Sequence, residues 1–535
     1  MKTMISSIIL ASCIALPLAS CSDSDVAPEQ KDWSTTTYFY SADAAMQDTY
    51  YKPTVGYVGD PMPFFDPVAG DFKVLYLQDF RPNPEGTYHP IWGVSTKDAA
   101  HYTSLGELVS CGTKKSQDAA IGTGSTIYDE ASKLYYTFYT GNKYLPTGDE
   151  SAQAVMVATS PDFKTWTKDR TFLLKGQDFG YDKNDFRDPF VFKGDDGKFH
   201  MLVSTKKSGK GSLAEFVSDD LKNWTDNGVF MTMMWDRFYE CPDLFKMGDY
   251  WYLVYSELHH AVRRVQYFKG RTLDELKACT ANDAGIWPDA HEGFLDSRGL
   301  YAGKTASDGT NRYLWGWCPT RSGKDNTAVG ASPAEPEWAG NLVCYKLIQH
   351  EDGTLTLGQV DAVSEKYNQD VAVEVKESQN MTEADGTYTL AGNTKQPDAY
   401  MLMGRLGNHN KISFTVTTTD KWDKFGISMV RGSDSKKYYT MVVNPENENN
   451  RKVNFEEQGV EGKGFIAGID GYVFARPADN VYNVTIYTDN SICVMYINDV
   501  CSYTNRIYGI QKNCWSINSY NAANVKISNL KISQY

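Results

Sequence analysis

Cysteine is scarce in this chain: ten residues in 535. None sits in a Cys-x-x-Cys pair, which removes the common zinc and dithiol redox motifs. No segment of useful length repeats its apolar residues at helical spacing, and there is neither a glycine-rich phosphate loop nor a serine nucleophile elbow. Positive charge is also short. Lys and Arg number 53 against 67 Asp and Glu, a net charge of −14, so the cationic footprint of nucleic-acid binding is missing. The same balance disfavours a polyanionic substrate and leaves a neutral polymer as the simpler expectation. Aromatics, by contrast, are abundant at 13%, with 35 tyrosines and 12 tryptophans. That suits β-structure, where most of them would serve as strand core, and flat rings also stack on sugar faces.

Three acid-bearing motifs stand in the first half: Val58-Gly59-Asp60-Pro61, Phe186-Arg187-Asp188-Pro189 and Tyr239-Glu240-Cys241-Pro242-Asp243. Each opens a unit in which a short apolar strand, a Gly/Asp turn and an aromatic-rich second strand follow. Two further copies run through Thr126-Ile127-Tyr128 and Leu300-Tyr301-Ala302. Second strands begin near residues 72, 134, 199, 251 and 313, at steps of 52 to 65 residues. A further marker follows several copies: Ser160-Pro161-Asp162 with Trp166, Ser218-Asp219-Asp220 with Trp224, and Ser95-Thr96-Lys97-Asp98 with Tyr102. Repeats of this length, built of strands and turns, predict propeller blades of about four strands. Acids at matched positions of such repeats converge on the axis, and gathered carboxyl groups point to glycoside chemistry.

The N-terminus has the form of an export signal. Lys2 supplies the positive start, and Met4 to Leu16 form an apolar run too short for an ordinary membrane span. Leu18-Ala19-Ser20-Cys21 resembles a bacterial lipobox, and Ser22-Asp23-Ser24-Asp25 resembles the surface-export signals of Bacteroidetes lipoproteins. The expectation is a signal peptide over 1–20, lipid attachment at Cys21, a tether over 21–31, and a place in the cell envelope as an outer-membrane lipoprotein. Of the other cysteines, Cys493 and Cys501 read as strand-core thiols, and Cys241 as a wall residue of the pocket. After Trp317 the repeat ends, the pattern lapses around Asp361 to Val371, and alternating strands such as Ile412-Ser413-Phe414-Thr415-Val416 continue to Tyr535. The fold class expected is all-β: a five-bladed β-propeller over 32–358 followed by a β-sandwich over 372–535.

These motifs in this order resemble glycoside hydrolase family 32, the invertases, inulinases and levanases. The resemblance rests on Gly59-Asp60-Pro61, Leu77-Gln78, the segment Pro90 to Asp98 with Trp92-Gly93, Gly124-Ser125, Arg187-Asp188-Pro189 and Glu240-Cys241-Pro242. It extends to Asp489-Asn490-Ser491, Tyr496 to Asp499 and Thr504 to Tyr508. The chain departs from the family at Gly59, where asparagine is usual, at Met62-Pro63 in place of Asn-Gly, and around Val494, where a glutamate is usual. The resemblance implies Asp60 as nucleophile, Glu240 as general acid/base and Asp188 as a transition-state stabiliser. It implies Gln78, Trp92, Ser125, Arg187 and Cys241 as substrate-binding residues, a fructan or oligosaccharide as substrate, and no cofactor or metal. Crowding the three acids is expected to raise the pKa of the least stabilised one. Asp296 and Trp315 remain open between sugar contact and structure. Two other readings stay open: an arabinan- or xylan-directed inverting glycosidase with carboxyls about 6.5–9.5 Å apart instead of about 5–5.5 Å, and a non-catalytic glycan-binding lipoprotein.

Overall fold

The second strand of each repeat is buried almost end to end, for example through Tyr135–Gly141 of Leu134–Asn142 and Val74–Asp79 of Asp71–Asp79. Burial on both faces follows when a strand lies inside a blade packed between two neighbours, and it accounts for the apolar and aromatic runs. The computed structural model describes residues 49–535 except 81–86, 144–145, 234–237, 258–263, 280–291, 321–337, 430–437, 446–452, 459–473 and 512. The signal peptide, Cys21 and the tether expected from sequence lie outside the described residues.

Five antiparallel blades follow in chain order. Their innermost strands are Tyr57–Asp66, Ala120–Asp129, Phe186–Lys193, Tyr239–Met247 and Tyr301–Ser307. Each pairs with the next strand in sequence, and successive inner strands pack side by side around the ring. The ring closes where Gly340, at the start of Gly340–Gln349 in blade five, pairs with Val58 of blade one.

The repeated Ser/Thr-x-Asp marker forms the turn after the third strand of blades one, two and three. Asp162 accepts the N–H groups of Lys164 and Thr165 at 2.9 and 2.8 Å, and Asp220 those of Lys222 and Asn223 at 2.9 and 2.8 Å. In blade one the working pair is Thr96 and Asp98, whose carboxylate accepts from Ala100 and His101 at 3.0 and 2.8 Å. Such Asx turns are local chemistry, which is why the marker repeats legibly.

The second domain is a sandwich of two antiparallel sheets, one centred on Asn524–Gln534 and His409–Thr418, the other on Cys514–Ser519 and Phe425–Met429. His409–Thr418 alternates strictly between half-buried and buried, the period-two signature of a strand with one core face. The sandwich starts earlier than 372: Gln369–Val371 already pairs with Asn524–Gln534. The lapse before it is a short helix, Asp361–Lys366. The propeller's last strand ends at Gly358 and its first described strand begins at Tyr57; residues 32–48 of the expected span lie outside the described residues, and Thr49 and Tyr50 are tied to the sandwich, both N–H groups donating to Asp489 at 2.9 Å. None of the eight cysteines from Cys111 to Cys514 is joined in a disulfide. Cys493 and Cys501 lie on paired strands opposite Asn505 and Ile497, so they do not face one another.

Candidate active site

Asp60 and Asp188 stand on β-bulges, and Glu240 immediately before one. Pairing skips Asp60-Pro61 between Gly59 and Met62, Asp188-Pro189 between Arg187 and Phe190, Cys241-Pro242 between Glu240 and Asp243, and Ala302-Gly303 between Tyr301 and Lys304. In blade two the skipped residue is Thr123, between Gly122 and Gly124. A bulge re-aims the side chain that follows it, and Asp188, Cys241 and Ala302 take left-handed backbone angles, φ 59°, 51° and 52°. Proline fits directly after, because a skipped residue owes no N–H to the ladder.

This register corrects the sequence alignment. Asp60 and Asp188 are equivalent, but Glu240 lies one position earlier, level with Arg187 and Tyr301. Two tiers result. In the first, neighbouring blades supply Arg187, Glu240 and Tyr301: Arg187 Nη2 donates to Glu240 Oε1 at 2.9 Å, and the Tyr301 hydroxyl to Oε2 at 2.5 Å. In the second, Thr123 Oγ1 donates to Asp60 Oδ2 at 2.7 Å, and the Cys241 N–H donates to Asp188 Oδ2 at 2.9 Å. The Cys241 thiol also points at Thr123 Oγ1, 3.8 Å away. The three acids therefore stand in two hydrogen-bonded tiers of one site, close enough that Asp60 and Glu240 both act on the charge of Asp188.

Asp60 gains a second donor from the last blade, Trp317 Nε1, at 2.9 Å from Oδ1. Burial still raises its pKa, against the pull of the Thr123 and Trp317 hydrogen bonds, with the charge of Glu240 adding to the rise. Burial raises Asp188 to about 7; Arg187 opposes this and Glu240 reinforces it. Burial outweighs crowding in both cases. Arg187 is held on three sides: by Asp185 Oδ1 at 2.7 Å, by Glu240, and by the face of Phe238, 4.0 Å from the guanidinium. Arg187 and Cys241 thus lie within the site. Cys241 is buried against Tyr301, Ala302 and Trp317, and burial pushes its thiol well up, consistent with a wall residue and not a nucleophile.

Other sequence candidates land elsewhere. The Ser125 hydroxyl donates to Pro189 O and accepts from the Val191 N–H, both at 2.9 Å, so it splices blade two to the Arg-Asp-Pro strand and is spent on backbone. Trp92 is 9% exposed and packs edge-on to Phe80 in the blade-one core. Gln78 is buried beside the first strand, with Nε2 donating to Val55 O at 2.6 Å and Oε1 unpaired. Trp315 is buried with its indole on Tyr102, 3.1 Å away; two residues on, Trp317 is the ring that reaches the acid. Asp296 is a buried seam residue, described below.

Sequence reasoning missed Thr123, Thr140, Tyr301, Lys304, Trp317 and Trp338 as site residues. Thr140 Oγ1 accepts the Asp188 N–H at 2.8 Å and donates to Thr123 O at 2.9 Å. Lys304 is buried and donates to Gly124 O at 2.8 Å, its pKa pushed down by burial. Only Thr123, flanked by glycines at the bulge position of its repeat, carried a local signal. The two departures at the first motif have packing reasons. A Cβ on Gly59 would come within 2.2 Å of the Trp338 ring, which stacks on His89 at 4.2 Å. Met62 is buried, and its sulfur accepts the Gly124 N–H at 3.1 Å. Among the described residues no His/Cys/Asp/Glu group is arranged to hold a metal ion.

Residues 50–360 match the family model described as Glycosyl hydrolases family 32 N-terminal domain, and residues 353–532 the one described as GH32, BT1760-like, C-terminal domain. An insoluble isoenzyme of beta-fructofuranosidase from Arabidopsis thaliana is 27% identical over 320 residues, 54% of this chain and 51% of that protein. A sucrose-6-phosphate hydrolase from Vibrio alginolyticus is 26% identical over 240 residues, 42% of this chain and 45% of that protein. The chain thus spans about half the length of these curated relatives. Among solved structures, an exo-inulinase from Aspergillus awamori superposes with a TM-score of 0.67 at 16% identity, covering 91% of this chain and 98% of that one. Fructan 1-exohydrolase IIa from Cichorium intybus gives 0.63 at 16% identity, covering 90% and 97%. These likenesses establish the same fold.

Proposed function

This chain belongs to glycoside hydrolase family 32, and on that premise we propose that it hydrolyses fructosyl linkages in a fructan or fructo-oligosaccharide by retaining double displacement. The observation that carries the reading is the gathering of Asp60, Asp188 and Glu240 where the inner strands of blades one, three and four meet, with Glu240 and Asp60 both acting on the charge of Asp188. Asp60 has a hydrogen-bond donor on each oxygen, Thr123 and Trp317. Donors to both oxygens favour the ionised form and fix its direction, which a nucleophilic carboxylate needs. Glu240 is held in its own tier by Arg187 and Tyr301 of the two flanking blades; its place in the family's third acid motif gives it the acid/base role, handing a proton to the departing oxygen and taking one from water. Asp188, raised to about 7, can exchange hydrogen bonds with sugar hydroxyls as positive character develops on the ring.

The test is a fructan panel run with three variants. Asp60→Asn is expected to lose turnover by roughly 10⁴-fold, because no fructosyl-enzyme forms. Glu240→Gln is expected to be milder where the leaving group needs no proton. Azide rescues Glu240→Ala, by attacking the intermediate without a general base, and does nothing for Asp60→Ala. Equal, unrescued losses would sink this assignment, and cleavage of arabinan or xylan alone, or of nothing, would sink the substrate class. Trp338 over Gly59 makes the wall near Asp60 aromatic, and we infer a linkage preference other than that of a sucrose-cleaving enzyme. Sucrose as the best substrate by far would overturn that.

We also propose attachment to the cell envelope through Cys21, on the strength of Lys2, the Met4 to Leu16 run and Leu18-Ala19-Ser20-Cys21. A lipidated cysteine with several acyl chains suffices for stable anchoring. Wild type should partition with membranes and Cys21→Ala should be soluble; a wholly soluble wild type rules the anchor out.

A further inference from the structure

The sandwich strand Cys501–Arg506 lies along blade five. Its alternate residues divide between two surfaces, as strand geometry requires. Cys501 and Tyr503 join the sandwich core. Ser502, Thr504 and Arg506 face the propeller. Ser502 Oγ and Thr504 Oγ1 donate to Asp296 Oδ2 at 2.9 and 2.8 Å, and the Thr504 N–H donates to Oδ1 at 2.8 Å.

Arg506 does something different. It is 2% exposed, and its guanidinium donates to Pro319 O at 3.0 Å, Cys318 O at 2.9 Å, Asn341 Oδ1 at 2.6 Å and Ser491 Oγ at 2.9 Å. Every acceptor is neutral. Burying a cation without a carboxylate is costly, so the location it occupies matters. Cys318 and Pro319 end the second strand of blade five, and Asn341 is the second residue of the third. Between them Gly340 makes the pair with Val58 that closes the ring. The chains approach so closely there that a Cβ on Gly340 would sit 1.8 Å from Cys318 O. Two short paths lead from this clasp to Asp60. Trp317, adjacent to Cys318, donates to Asp60 Oδ1, and Val58 lies two residues before Asp60 on the same strand.

We propose that Arg506 is a positioning residue for Asp60: the sandwich domain sets the carboxylate of the catalytic strand by clasping the closure of the propeller ring. This rests on the reading of Asp60 as nucleophile. A misplacement of about 1 Å costs on the order of 10²-fold in rate, so a loosened closure acts on turnover before it acts on binding.

The experiment compares Arg506→Lys and Arg506→Met with Ser502→Ala, a substitution on the same strand face that leaves the clasp intact. Both Arg506 variants should lower kcat by roughly 10- to 100-fold with KM little changed. The acid limb of kcat/KM should move to higher pH, because a carboxylate that loses part of its Trp317 hydrogen bond holds its proton more strongly. Trp317→Phe should move the limb the same way, and Trp317→Phe with Arg506→Met should lose little more than either alone. Ser502→Ala should lower Tm and leave kcat and the limb in place. Should Arg506→Met not fold, Arg506→Lys and Asn341→Ala each remove part of the clasp and carry the same comparison. An Arg506→Lys enzyme with wild-type kcat and pH limb, or losses that multiply in the double variant, overturns the proposal. An active Asp60→Asn would instead overturn the nucleophile reading beneath it.

Discussion

Asp188 and Asp296 are both fully buried aspartates on the propeller, yet they are built for opposite ends. Asp296, at the seam, accepts from Ser297, Thr504 twice and Ser502, so both oxygens are saturated. Asp188, in the central ring, accepts one hydrogen bond, from Cys241, on a backbone with φ 59°. Saturation marks an acid spent on holding the domains together. Unused capacity, positive φ and a pKa raised to about 7 mark one kept available to something else.

The sharpest way to break that comparison is to remove each charge in turn. Asp188→Asn should lower kcat by roughly 10²-fold or more while raising thermal stability at alkaline pH. The sign follows from the direction of the shift. The folded pKa lies near 7 and the unfolded one near about 4, so folding takes up a proton between them. This group's contribution is present below the unfolded value and is lost as pH rises through about 7. The Tm advantage of Asp188→Asn should therefore be largest above that pH and shrink toward acid; a gain independent of pH would refute the shift.

Asp296→Ala is expected to do the reverse. It strands the donors of Ser502 and Thr504, at a cost of about 2–4 kcal/mol in stability, with KM and the pH profile held. Denaturant unfolding beside steady-state kinetics checks it, and a KM effect as large as the stability loss would return Asp296 to the sugar site.

A smaller effect sharpens the account of Asp60. Thr123→Val removes one of its two donors, so its pKa should rise further and the acid limb of kcat/KM should shift up by about one pH unit. Smaller again is Gly59→Ala, whose Cβ must displace the Trp338 ring. KM for the preferred oligosaccharide should rise by about fivefold, the loss of one aromatic contact, with kcat nearly intact.

Much of the fold was legible because its signals are local. Asp98, Asp162 and Asp220 each build a turn from their own neighbours, and the buried second strands declare themselves by their runs of aromatics. The acid motifs were legible too, since a bulge followed by proline is written within four residues. Their relative register was not: Glu240 reads as the match of Asp60 until the ladders place it level with Arg187.

The sequence alone thus determined the repeat, the two domains and the three acids, because turn chemistry, strand alternation and proline placement act over a few residues. Only the tertiary structure decided what surrounds those acids. Thr123 and Trp317 lie 63 and 257 positions from Asp60, and nothing in their own neighbourhoods distinguishes Trp317, at Asp60, from Trp315, in the core. Closing five blades into a ring converts such distant residues into neighbours, and position along the strand, not face, separates Trp317 from Trp315 two residues before it.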